Sequence, residues 1–349
     1  MRCLALVQAW HRRGGRAYFA QAETTSPLEE RLTREGVSLS RLAVHPGTIA
    51  DAERTIDLAR THGAAWVVID GYQFGADYQR ILKQAGLRVL LLDDYGHADS
   101  YCADLVLNQN LCADPSLYRE RAPGTRLLLG AAYALLRGEF QAWQHWEREV
   151  PPVAAKVIVT LGGSDPENVT EKVVEALFRL SGLESLIVIG GSNPHLTSLQ
   201  AAVTGRSAAV QLVTDAPDVP KLMAWADIAV AAGGSTSWEL AFMGLPSLVL
   251  VLADNQMSIA AATHRERLSI NLGDHAKVDA ERMAEAIGSL ASDFERRREM
   301  SRRGRQIMDG LGADRVARLL VEGNLPDDFP LEREHRFRQT SVSSAASCL

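Results

Sequence analysis

The stretch ADIAVAAGGSTSWE, residues Ala226–Glu239, decides how this chain is read. Asp227–Ala232 is an apolar run of strand length, Gly233 and Gly234 interrupt it, and Ser235, Thr236 and Ser237 supply hydroxyls where a helix should begin. Strand, glycine turn and helix start together outline an anion site. Glycine lets the backbone approach a ligand closely, and the first N–H groups of a helix lack internal partners, so they and the helix dipole favour negative charge. Ser235 and Thr236 are placed either to cap that helix or to bond a phosphate oxygen. Glu239 lies three residues beyond Thr236 on the same face. Two roles stand open for it: closing a capping box with Thr236 or Ser235, or accepting two hydroxyls of a ribose.

A second copy gives the pattern weight. Lys156–Ser164 reads KVIVTLGGS, a β-rich run ending in Gly162, Gly163 and Ser164, followed by Asp165-Pro166 and a helical pattern over Asn168–Leu180. Pro166 suits the first turn of that helix, where a missing N–H costs nothing. Two such turns in one half of a chain fit a phosphate-bearing ligand; tight turns that only pack helices onto a doubly wound sheet are the alternative.

The 349 residues suffice for two domains, each with its own core. Hydrophobic residues at 46% and charged residues at 23% are ordinary for a globular protein, and a net charge of −6 argues against a nucleic-acid partner. Cys3, Cys102, Cys112 and Cys348 form no C-x-x-C pair and no zinc spacing, so free thiols in a reducing cytoplasm are expected, with no metal. No run approaches the ~18–20 apolar residues that span a bilayer. MRCLALVQAW is read as a core-facing helix over Met1–Arg13, since His11, Arg12 and Arg13 follow it with no cleavage site. The basic runs Arg296–Arg298 and Arg302–Arg305 are read as a solvated helix face.

The first half alternates helices with strands near Arg16–Ala20, Leu39–Val44, Ala64–Tyr72, Leu87–Tyr95, Ala103–Asn110 and Arg126–Gly130. Continuous apolar strands separated by amphipathic helices predict a parallel sheet covered on both faces. A helix over Gly138–Glu149 should end at Pro151-Pro152, the expected boundary between a domain of residues 1–150 and one of residues 151–324. The second half repeats the alternation and brings Asp254, Asn255 and Gln256 to the carboxyl end of a strand, the edge where open α/β sheets bind ligands. Helices are expected through Val278–Ser292 and Phe294–Leu320, and residues 325–349 are expected to be a flexible tail. No G-x-G-x-x-G turn follows a first strand and no Walker lysine motif occurs, so a dinucleotide oxidoreductase and a P-loop enzyme are excluded. Asp93 and Asp94 are adjacent acids, but neighbours on an extended strand point to opposite faces and make a poor metal pair.

MRCLALVQAW, VVIDGY, LLDDYGHADSYCADLVLNQN, TLGGSDPEN and AAGGSTSWELAFMGLPSLVLVLADNQ together resemble the UDP-sugar hydrolase family of pseudaminic-acid biosynthesis and its spore-coat polysaccharide relatives. The similarity runs over roughly residues 1–320, and the second half also resembles the nucleotide-binding half of the glycosyltransferase that makes peptidoglycan lipid II. The resemblance implies a GT-B-like architecture of two Rossmann-like domains facing across a cleft. It implies hydrolysis of the anomeric C–O bond of a UDP-linked diacetamido-trideoxy hexose, with no cofactor. Gly162, Gly163, Ser164, Gly233, Gly234, Ser235 and Thr236 match its diphosphate turns, Glu239 its ribose ligand, Asn255 and Gln256 its sugar-facing carboxamides, and Tyr72 a first-domain tyrosine across the cleft. The family places a strand and a Gly-His loop, with its proposed general base, before the Met-Arg-Cys helix at which this sequence starts. Neither His11 nor His97 matches that histidine. The first-domain sheet is therefore expected to lack that strand, and two expectations follow: further residues upstream that carry the loop, or a UDP-sugar binder with little turnover. A UDP-sugar glycosyltransferase of the same fold is the enzymatic alternative.

Overall fold

The computed structural model describes residues 1–322 except 23, 207, 208, 215 and 217; the tail expected over residues 325–349 lies outside the described residues. The first lobe contains α1 (Arg2–Arg12), β1 (Tyr18–Gln21), α2 (Ser26–Arg34), β2 (Ser38–Arg41), α3 (Ile49–Thr61), β3 (Trp66–Asp70), α4 (Ala76–Gln84), β4 (Arg88–Leu92), β5 (Leu105–Asn108) and β6 (Arg126–Leu129). The chain continues through β7 (Lys156–Thr160), α5 (Val169–Phe178), β8 (Glu184–Ile189), α6 (Leu196–Val203), β9 (Val210–Thr214), α7 (Val219–Trp225), β10 (Ile228–Ala232), α8 (Thr236–Phe242), β11 (Ser247–Val251), α9 (Met257–Arg265), β12 (Ser269–Asp274), α10 (Ala280–Ser292), α11 (Phe294–Ile307) and α12 (Gly312–Glu322).

Every strand pair is parallel, as the unbroken apolar runs predict. The second lobe has a six-stranded sheet in the order β12-β11-β10-β7-β8-β9. Alternation along its strands feeds two cores. Val157, Val159, Leu248 and Leu250 pack with α5 and α10 on one face, while Ile158, Ala229 and Ala231 pack with Trp238, Phe242 and Met243 on the other. The first lobe carries a four-stranded sheet β3-β4-β5-β6 and a separate two-stranded pair β1-β2. α1 spans both pieces: Ala5, Leu6 and Ala9 lie on Leu90, Leu92 and Leu107, and Leu4 lies on Leu32 and Val37. This is the core-facing helix that its sequence predicts.

Three elements differ from the sequence expectation. The Gly138–Glu149 stretch is 3₁₀ over Gly138–Trp143 and irregular beyond. Contacts at its two ends hold it as a strap: the Gly138 N–H donates to Gln8 Oε1 at 2.6 Å, and Arg148 donates to the carbonyls of Met223 and Met243 at 2.6 and 3.1 Å. The single helix expected to reach Leu320 breaks at Gly310, in left-handed backbone at φ +74°, and α12 returns to pack with α1 and β5 in the first lobe's core. Arg297, expected on a solvated face, is fully buried and donates to the carbonyls of Pro151 and Pro152 at 2.9 Å each, which fastens the boundary segment to α11. Arg305 likewise holds the carbonyls of Phe242 and Gln144.

Candidate active site between the lobes

β7 and β10 are neighbours, with Thr160 in register with Ala231, so both paired-glycine turns leave the same sheet edge side by side. From β7 the strand order runs outward through β8 to β9, and from β10 outward through β11 to β12. The order reverses between them, and this switch point is where doubly wound sheets open a crevice. Among the described residues, the N–H groups of Gly162, Gly163, Ser164, Gly234, Ser235 and Thr236 donate to no protein acceptor. A Cβ built on Gly162, Gly163 or Gly234 meets nothing within 4 Å. Gly162 needs to be glycine for its backbone, at φ +92°. Gly233 sits in tighter space, since its Cβ would lie 3.2 Å from Gln256 Cβ. The first turn is backed by the loop after β8: Ser192 N–H donates to Gly163 O at 3.1 Å, and a Cβ on Gly190 would lie 2.5 Å from Gly162 O.

Two local expectations are corrected. Pro166 does not open α5, which begins at Val169; Asp165, in left-handed backbone at φ +42°, caps the helix by accepting from Val169 N–H (2.9 Å), Thr170 N–H (2.9 Å) and Thr170 Oγ1 (2.6 Å). The chain's own carboxylate thus occupies that helix end, and the amides left open are those of the turn itself. The capping box offered for Glu239 is also absent. Ser235 makes no side-chain cap bond, and Glu239 Oε1 instead accepts from Arg137 Nε at 2.9 Å, with both side chains nearly buried. Arg137 also pairs with Glu139 at 2.9 Å. Burial pushes the Glu239 carboxyl upward, Arg137 pulls it down, and the balance is upward.

Across the crevice, strand ends of the first lobe present a polar network. Tyr72 Oη donates to Asp94 Oδ2 at 2.8 Å, and Asn255 Nδ2 donates to Tyr72 Oη at 2.9 Å, so two candidates read from opposite halves of the sequence meet. Arg2 bridges Asp70 and Asp94 at 2.7 Å each; burial disfavours its charge, yet the two carboxylates outweigh this and its pKa is raised. Asn110 Nδ2 donates to Asp94 Oδ1 at 3.1 Å. Gln256 turns back on its own loop, its Oε1 accepting from Leu252 N–H at 3.0 Å. Asp93 and Asp94 diverge as adjacent strand-end residues should. Asp93, fully buried, takes His97 Nδ1 and Tyr101 Oη, each at 3.0 Å.

The fold brings the glycine pairs side by side and Tyr72 against Asn255, as candidates read from the sequence, and adds Arg2, Asn110, Arg137 and Gly190, which the sequence reading does not name. Their signal was present in part, because DGY, DDY and NQN each place polar residues directly after a buried apolar strand.

Residues 157–311 match the glycosyltransferase family 28 C-terminal domain. The chain is 24% identical over 247 residues to the spore coat polysaccharide biosynthesis protein SpsG of Bacillus subtilis, covering 70% of this chain and 72% of that one. Among solved structures it is similar to MurG of Acinetobacter baumannii, at a TM-score of 0.62 and 13% identity, covering 92% and 95% of the two chains. It is also similar to HepE of Anabaena in complex with UDP-glucose, at a TM-score of 0.59 and 12% identity, covering 92% and 95%. The chain has a GT-B-like α/β fold of two Rossmann-like lobes, and its second lobe matches the glycosyltransferase family 28 C-terminal domain.

Proposed function

We propose that the chain binds a UDP-linked amino sugar in the crevice between its lobes and hydrolyses the anomeric C–O bond, releasing UDP and the free sugar. The observation that carries this reading is the pair of glycine turns at the switch point, with unsatisfied amides and open space before them. Amides of Gly162, Gly163, Ser164, Gly234, Ser235 and Thr236 would hold the diphosphate and stabilise the charge that develops as it leaves. Ribose hydroxyls fall to the Glu239 oxygen that Arg137 does not take. Tyr72 and Asn255 meet where the sugar would lie, with Gln256 one residue on. In the reaction the water oxygen bonds to the anomeric carbon, the carbon–oxygen bond to the β-phosphate breaks, its electron pair stays on UDP, and the proton lost by the water passes to solvent.

A second reading is favoured by the match of residues 157–311 to a glycosyltransferase domain: the same donor, with an acceptor hydroxyl in place of water. Chromatography of the nucleotide after incubation with a UDP-linked diacetamido-trideoxy hexose alone separates the two. UDP and free sugar in equal amounts without an acceptor support hydrolysis. Release only when an acceptor is added supports transfer, and binding without release under either condition counts against both.

A further inference from the structure

The hydrogen bonds behind Tyr72 run in one direction. Asp94 is a carboxylate paired with Arg2 at 2.7 Å and has acceptors only, so Tyr72 must donate to it. With its proton so committed, Tyr72 Oη can only accept from Asn255, which fixes Nδ2 of that amide toward the tyrosine. Asn255 Oδ1 is left as the free end. Asn110 shows the same polarity: its Nδ2 donates to Asp94 O and Oδ1 at 3.1 Å each, and its Oδ1 is buried without a partner. Tyr72 keeps its proton throughout the ordinary pH range, its pKa pushed up to about 12, first by burial and then by Asp94 against the opposing Asn255 bond.

We infer that Asp94 is a positioning residue: through Tyr72 it turns the Asn255 carbonyl toward the sugar, so the subsite takes a hydrogen-bond donor such as an acylamino N–H and disfavours an anionic sugar. This inference rests on the nucleotide-sugar reading above. Asp70, whose side chain is 30% exposed, adds acceptor character and negative charge at the same strand edge. In an Asp94→Asn protein the new amide can donate to Tyr72, which frees the tyrosine to donate onward, and the direction of the chain is no longer fixed.

Titration calorimetry with UDP, UDP-N-acetylglucosamine and UDP-glucuronate tests it. The unaltered protein should prefer UDP-N-acetylglucosamine to UDP-glucuronate by about five- to tenfold, the scale of one neutral hydrogen bond. Asp94→Asn should remove most of that preference while binding UDP as before. Asn255→Leu, at an exposed position whose one bond into the network is to Tyr72 Oη, should remove the advantage of UDP-N-acetylglucosamine over UDP. An unchanged preference in either folded variant, or no preference in the unaltered protein, would overturn the inference while leaving UDP binding in place. Failure of the unaltered protein to bind UDP would overturn the nucleotide reading, and this inference with it.

Discussion

Alanine at Gly163 and Gly234 places a methyl group in the space assigned to the diphosphate. Neither glycine has left-handed backbone, and a Cβ on either meets no heavy atom within 4 Å. The folded protein therefore loses nothing by the change. The unfolded chain loses freedom, which should stabilise the fold by about 0.4–1 kcal/mol per site and raise the melting temperature by roughly 1–4 °C. For a bound diphosphate the effect is opposite, because the methyl holds a phosphate oxygen away from the amide beside it. A hydrogen bond to a charged group contributes about 1.5–3 kcal/mol, so each substitution should weaken UDP binding roughly 10- to 150-fold. Thermal melts and titration calorimetry with UDP on the same samples read both quantities. Unchanged affinity in a protein of unchanged or raised melting temperature would refute contact between the nucleotide and these turns. A melting temperature lowered by several degrees would refute the open space.

Gly190→Ala should act by the reverse route, since its Cβ would lie 2.5 Å from Gly162 O. Overpacking against backbone costs about 1–3 kcal/mol, so a lower melting temperature together with weaker UDP binding is expected, and a melt like that of the unaltered protein would contradict the close approach. Arg137→Ala leaves Glu239, 14% exposed, without its cation, and a loss of about 2–4 kcal/mol in denaturant unfolding is expected, with Glu239→Gln in the same chain recovering part of it. Additive effects of these two substitutions would count against the pair. For Asp93 and His97 the signs oppose. Burial works against both charges, but each partner outweighs it, so Asp93 lies at about 2, below its usual 3.8, and His97 lies above its usual 6.5. The Asp93 contribution is present above 3.8 and lost as pH falls toward 2, while the His97 contribution is complete below 6.5 and lost as pH rises through the histidine's raised value. The melting-temperature gap between the unaltered protein and His97→Gln should therefore be widest near about pH 5–6 and narrow on the alkaline side; a gap that widens from pH 6 to 9 would contradict the pairing.

The fold was legible because central strands of the two larger sheets are buried on both faces and read as continuous apolar runs, as in LVLNQN around β5 and SLVLVLADNQ around β11, unlike β1 and β2 with no buried residue. The glycine turns and the Asp254–Gln256 segment could be placed at strand ends for the same reason, since a ligand edge follows wherever such runs end, whereas the bond between Tyr72 and Asn255 emerges only from the fold. What escaped depends on partners distant in sequence. Gly138–Glu149 has a helical composition, but Gln8 and the carbonyls of Met223 and Met243 draw it out as a strap. Local spacing offers Glu239 a cap or a ribose, and only the fold brings Arg137 against it, 102 positions earlier in the chain. Asp165 beside Pro166 reads as the first turn of a helix, yet left-handed backbone lets it cap that helix from outside. α2 begins where Thr25, Pro27 and Glu29 carry a helix-start signature, with Pro27 in its first turn.

A crystal structure of the protein with UDP tests most directly whether main-chain amides at the two glycine turns hold the diphosphate. Phosphate oxygens within about 3.2 Å of the amide nitrogens of Gly163, Ser164, Gly234 and Ser235, with the ribose against Glu239, are the predicted result. UDP bound elsewhere, or held in the crevice with its diphosphate turned away from both turns, would contradict the account.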